Sequence, residues 1–164
     1  PPSINGAPLN PGHTHFVMVE SGQEGVKAWG SEIDFRARLE HYYCHVKGVM
    51  LVLLVVQGGP GTLKTVLASA KQHHPVLIVS DSGGAATAIA EYVQKGTASH
   101  PNFQKEAAVK TLEEIRELHE ASDELLLTFF SLNDEEQEMS KLLLQAIVKM
   151  LRRPQRAELA SPAE

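Results

Sequence analysis

Val49-Met50-Leu51-Val52-Leu53-Leu54-Val55-Val56-Gln57-Gly58-Gly59-Pro60-Gly61-Thr62 is the stretch on which the fold turns. Eight unbroken apolar residues, mostly Val and Leu, run into a glycine cluster. The run is too short to cross a bilayer and fits a strand buried on both faces, as in a parallel sheet. Gly58, Gly59 and Gly61 let the backbone turn tightly and approach a ligand where a Cβ would clash. Thr62 is a good N-cap, and residues 63–70 read as the helix that follows. Strand, glycine loop and helix N-terminus together present backbone N–H groups and a positive dipole end, which suits a phosphate-bearing ligand.

Two commoner phosphate motifs fail here. In the G-x-x-x-x-G-K-[ST] pattern counted from Gly58, Leu63 occupies the second glycine position, ahead of Lys64 and Thr65. G-x-G-x-x-G fails because Gly59-Pro60-Gly61 is followed by Thr62-Leu63-Lys64. Taken alone, the segment is equally well read as a tight left-handed turn with a purely structural role.

A second unit of the same kind follows. Pro75–Val79 is a buried-looking strand, Ser80-Asp81-Ser82-Gly83-Gly84 a loop, and Ala85–Val93 a helix. The repetition is a βαβ unit with a right-handed crossover. Both glycine loops therefore fall at the C-terminal edge of the sheet, where open α/β folds bind ligands. Two adjacent loops favour an anion site more than either does alone.

The rest of the chain completes the alternation. Residues 1–12 read as loop, 13–153 as one domain and 154–164 as a tail. His15–Glu20 reads as a short strand, and a helix starts near Ser31 with Ile33, Ala37, Leu39 and Tyr43 as candidate buried positions. Phe103–Glu120 is a charge-laced helix with a thin stripe of Ala107, Leu112, Ile115 and Leu118. Leu125–Leu132 is a last strand, and Glu135–Arg153 a helix that is acidic at its start and basic at its end. The expected fold is α/β: a Rossmann-like three-layer sandwich with a mostly parallel sheet.

Composition excludes several classes. The 164 residues make one domain, 43% hydrophobic, and the net charge of −5 argues against a general nucleic-acid binder. The single cysteine, Cys44, rules out an internal disulfide and suits a reducing, cytoplasmic setting. The start at Pro1-Pro2-Ser3 suggests a fragment of something longer.

Other chemistry-bearing residues are weighed against plainer roles. Trp29, the only tryptophan, is either a core anchor or a platform for a base or ribose. His41, Cys44 and His45 share a helix face, and His13, His15, His73 and His74 could add ligands, but one thiol and no recognised ligand spacing leave no metal assigned. Glu20, Glu24, Glu32 and Asp81 are acid/base candidates, each more simply a cap or solvated charge.

His13-Thr14-His15-Phe16, Trp29-Gly30-Ser31-Glu32-Ile33 running into Phe35–Glu40, and Gly58-Gly59-Pro60-Gly61-Thr62 carry a resemblance. So do Val79-Ser80-Asp81-Ser82-Gly83-Gly84-Ala85-Ala86 and Leu126–Leu132. In order and spacing they resemble the N-terminal cytosolic region of melastatin-type TRP (TRPM) cation channels, over His13 to Arg153. That region is a SLOG-type Rossmann-like domain related to the LOG/lysine-decarboxylase-like proteins. In some of these channels it binds ADP-ribose or related nucleotides and helps gate the pore.

The resemblance implies a ligand-binding role for Trp29, where the family usually has Tyr, for Arg36, and for Gly58, Gly59, Gly61 and Thr62 beside the phosphates. Ser82, Gly83 and Gly84 match the second loop, but Gly84 stands where the family often has a ligand-touching Arg, and Thr87 where it often has Asp. Thr65 occupies the position of the catalytic Glu of LOG-type enzymes, so the implied domain binds without hydrolysing. The family's first strands would precede Pro1. The implied function is a non-catalytic, ADP-ribose-like nucleotide sensor, without a cofactor, working with other subunits of a tetrameric channel. The alternatives are a LOG-like phosphoribohydrolase using Glu32, or a scaffold that binds nothing.

Overall fold

The computed structural model describes residues 9–20, 22, 30–122 and 126–152. Their elements are α1 (Ile33–Lys47), β1 (Leu53–Val55), α2 (Pro60–Lys71), β2 (Val76–Val79), α3 (Gly84–Lys95), a 3₁₀ turn at Pro101–Phe103, α4 (Glu106–Glu120), β3 (Leu127–Phe130) and α5 (Glu136–Arg152). Three strands form one sheet in the order β1-β2-β3, parallel throughout, with Val55 beside Ile78 and Ile78 beside Phe129. The expected α/β, Rossmann-like architecture is what the chain adopts.

Alternation within the strands divides the core between two faces. Val55, Val76, Ile78 and Leu127 meet Leu63 and Val66 of α2, Ala85 and Ile89 of α3, and Leu112 and Ile115 of α4. Leu77, Val79 and Phe130 point the other way, onto Met139, Leu142 and Leu143 of α5. Both crossovers step in the same direction along the sheet, so right-handed connections put α2, α3 and α4 on one side and leave the other to α5. Each fully buried Leu or Ile side chain contributes roughly 1.5–3 kcal/mol. The all-buried β2 is the densest source of that term.

Several expectations need correction. The run Val49–Val56 yields only the three-residue β1, which among the described residues lies at the sheet edge, and Leu54 is 48% exposed. An edge strand has a neighbour on one side only, and α5 covers β2 and β3 on the face that Leu54 shares. The strand buried on both faces is β2. His15–Glu20 forms no strand: it is exposed, and among the described residues it joins no sheet. In α1 only Ile33 and Ala37 are buried, whereas Tyr43 is 48% exposed, because the helix packs chiefly on α2 rather than on the sheet. In α4 the buried alanine is Ala108, one position beyond the expected Ala107.

Candidate functional site

The two glycine loops meet at the C-terminal edge of the sheet, as their positions after β1 and β2 require. Gln57 takes a left-handed conformation, φ 55°, which turns its own carbonyl and that of Gly58 toward α3. Ala85 N–H donates to the Gly58 carbonyl at 2.9 Å, and Ala86 N–H to the Gln57 carbonyl at 3.0 Å. The Ser82 hydroxyl donates to the Val79 carbonyl (2.7 Å) and accepts from Gln57 N–H (2.8 Å), so it joins the ends of β1 and β2.

This contact explains Gly84. Its φ is +58°, and a Cβ there would fall on the Gly58 carbonyl oxygen and lie 3.0 Å from Gln57 C and Gly58 N. Only glycine lets the loops approach so closely. Gly58, at φ +94°, is equally committed, since a Cβ would sit 2.9 Å from Thr62 Cγ2 and closer still to its hydroxyl.

The consequence for anion binding is unequal at the two helices. At α3, the Ser82 N–H goes to the Val79 carbonyl, Gly83 N–H to the Thr87 hydroxyl at 2.9 Å, and those of Ala85 and Ala86 to the first loop. The N–H groups of Gly83, Ala85 and Ala86 are thus taken up by the chain's own oxygens. Thr87 also donates to the Ser80 carbonyl at 2.7 Å, so it serves as a loop closure. At α2, Gly59 is the N-cap rather than Thr62, no side chain caps the helix, and no acid lies in its first turn. Pro60 follows at a position where a missing N–H costs nothing. Gly58, Gly59 and Gly61 are exposed, and Lys64 adds an exposed cation to the helix. Thr62 N–H donates to the Gly59 carbonyl at 3.0 Å, and α2 is the more open of the two N-termini through the exposure of Gly59 and Gly61.

The remaining sequence candidates fall as follows. Trp29 and Glu24 lie outside the described residues. Arg36 is exposed on α1 and pairs with Glu40 at 3.2 Å; no hydrogen bond or ion pair joins it to either loop among the described residues. Asp81 ties the β2 loop to the β3 loop. It accepts from Leu132 N–H (2.8 Å), from the Ser131 hydroxyl (2.7 Å) and from Asn133 Nδ2 (3.1 Å). The Leu132 amide first, and Ser131 second, hold its carboxyl below the usual range, opposite to what a general acid needs. Thr65 turns its hydroxyl toward the Gly61 carbonyl at 3.5 Å. No three His, Cys, Asp or Glu side chains among the described residues are placed to hold a metal ion. Sequence reasoning missed Gln57 and the closing role of Thr87. A hydroxyl residue four positions after a loop glycine was the available signal for the latter.

A shallow groove on the α3–α4 face is lined by Tyr92, Val109, Glu106, Glu113, Glu114 and Glu117. Its carboxylates make it a poor match for a phosphate. No helix among the described residues is long and apolar enough to cross a membrane.

Comparison with known proteins places this geometry in a family. The family model described as SLOG in TRPM matches residues 2–133. A Nematostella vectensis protein, transient receptor potential cation channel subfamily M member-like 2, is 38% identical over 98 residues, covering 54% of this chain and 6% of the relative. Mouse subfamily M member 2 is 34% identical over 92 residues (51% of this chain, 6% of the relative). Human subfamily M member 7 is 28% identical over 167 residues, covering 86% of this chain and 9% of the relative. The chain thus spans under a tenth of the length of these relatives. The chain belongs to the SLOG family of TRPM proteins.

Proposed function

We propose that this domain is a non-catalytic sensor of an ADP-ribose-like nucleotide, carried on the cytosolic side of a TRPM-like cation channel and acting with that channel's other subunits. The observation that carries the reading is the open N-terminus of α2, where exposed Gly59 and Gly61 precede an exposed Lys64 at a helix end with no side-chain cap. A diphosphate there gains from the helix dipole and from backbone donors. Arg36 would leave Glu40 to supply a second positive contact. Thr65, with its hydroxyl on a backbone carbonyl, supports binding without hydrolysis. Ser82, Gly83 and Gly84 would border the same site from the second loop, which Ala85 N–H and Ala86 N–H hold against the first.

Calorimetric titration of the chain with ADP-ribose tests this reading, repeated on Arg36→Ala and on Gly59→Asp. Binding in the micromolar range, roughly −8 kcal/mol, is expected. Loss of a charge-assisted contact of about 1.5–3 kcal/mol should weaken it about tenfold or more in Arg36→Ala. Gly59→Asp sets a carboxylate in the anion's place and should abolish the heat. Absence of heat at millimolar ligand from folded protein sinks the sensor reading and leaves a scaffold.

A further inference from the structure

The helix α1 is apolar on two opposite sides. Its inner side carries Ile33 and Ala37, the only buried residues among its fifteen, and packs mainly on α2. At 3.6 residues per turn, Phe35, Leu39, Tyr42 and Val46 fall about 180° round from those two. Their steps of four, three and four residues are those of a heptad seam. Leu39 is half-buried, whereas Phe35, Tyr42 and Val46 are exposed, Val46 to 61%. A helix on a protein surface needs one apolar stripe to dock. A second, open stripe on its far side marks a second contact.

The flanks of the seam give the chemistry of what fits it. Arg36 and Arg38 stand at the positions that border a heptad seam, with Tyr43 and His45 one heptad further on, so no acid lies there. Asp34 and Glu40 fall further round, toward the α2 side, and Glu40 pairs with Arg36 at 3.2 Å. Arg38 is exposed and makes no ion pair among the described residues. A second copy of this chain would bring the same flanks, with no carboxylate to meet Arg38. A helix with acids beside its own apolar stripe matches both the seam and its border.

We propose that the outer side of α1 is a docking surface for an acidic amphipathic helix, which lays its apolar stripe along Phe35, Leu39, Tyr42 and Val46 and sets a carboxylate beside Arg38. The helix α1 is then the middle of three layers, with α2 on its inner side and the partner on its outer side.

Two labelled peptides of about three heptads, long enough to form a helix, test the surface against the whole chain. Both carry Leu along the seam, and they differ only in having Glu or Lys at every flanking position. Like charges on the flanks keep each peptide from pairing with itself. Fluorescence anisotropy should show the Glu peptide binding in the micromolar range, about tenfold tighter than the Lys peptide, because each exposed charge pair supplies roughly a few-fold. Val46→Asp, at an exposed position, should weaken the Glu peptide about tenfold or more, since the burial of a valine is lost. Arg38→Glu, also exposed, should weaken the Glu peptide and strengthen the Lys peptide by roughly a few-fold each. Binding of neither peptide, equal binding of both, or affinities unmoved by both substitutions overturns the proposal. So does a dimer, seen by sedimentation without peptide, that Val46→Asp dissociates, which would give this side of α1 to a second copy.

Discussion

Gly84→Ala is the substitution that weighs most directly on the contact between the two loops. At φ +58° an alanine bears roughly 1–2 kcal/mol of left-handed strain. Its Cβ would also press on the Gly58 carbonyl oxygen, so the loops must part. Parting them stretches the bonds from Ala85 N–H and Ala86 N–H, now 2.9 and 3.0 Å, each contributing about 1 kcal/mol. The stiffer unfolded chain returns roughly 0.4–1 kcal/mol. The net loss is about 2–3 kcal/mol, a large part of the stability of an ordinary domain. Urea denaturation should show a lower midpoint with an unchanged slope, since the core is untouched. A loss below about 0.5 kcal/mol, the scale of a neutral surface change, would refute the claim that the loops touch through this glycine. An arginine at this position meets the same obstacle, so Gly84→Arg should cost at least as much.

The contrast between strands gives a second test. Ile78→Ala, at a fully buried position of β2, should cost about 2–5 kcal/mol, whereas Leu54→Ala on half-exposed β1 should cost under about 1 kcal/mol; equal losses in denaturation would undo the assignment of β1 to the edge. His119 provides a pH test. Burial holds its folded-state pKa below the ordinary value, and its Nδ1 accepts from Leu127 N–H at 3.3 Å. With the folded pKa lowered, the unfolded chain takes up the proton first, so the contribution of His119 is complete above about pH 6.5 and declines as the pH falls toward the folded pKa. Denaturation midpoints at pH 7.5 and 5.5 should differ less in His119→Gln than in the parent, and an unchanged difference would remove His119 from the account.

The sequence makes the βα rhythm legible because local signals and tertiary structure agree there. Val76–Val79 is apolar throughout and is bounded by Pro75 and by the Ser80–Gly84 loop, and the structure buries every side chain of that strand. Val49–Val56 carries an even stronger apolar signal, yet among the described residues it forms an edge. Composition reports how apolar a strand is, not whether a neighbour arrives on its second side. The site was half legible. Glycines flagged two close approaches of backbone, and at Gly84 the structure shows one such approach, to Gly58. That pairing depends on Gln57 adopting a conformation that nothing in its side chain announces. Asp81 looked like an acid/base candidate because its partners, Ser131 to Asn133, lie some fifty residues away in sequence.

The bonds from Ala85 and Ala86 to the first loop also have a mechanical meaning. Gly58 sits between two helices: a Cβ on it would run into Thr62 in the first turn of α2, and its carbonyl accepts from Ala85 N–H in the first turn of α3. The same edge continues through Ser82 to β2 and through Asp81 to the residues that lead into α5. The mouth of α2 is thus joined to α3, β2 and the β3–α5 loop by short, directional hydrogen bonds.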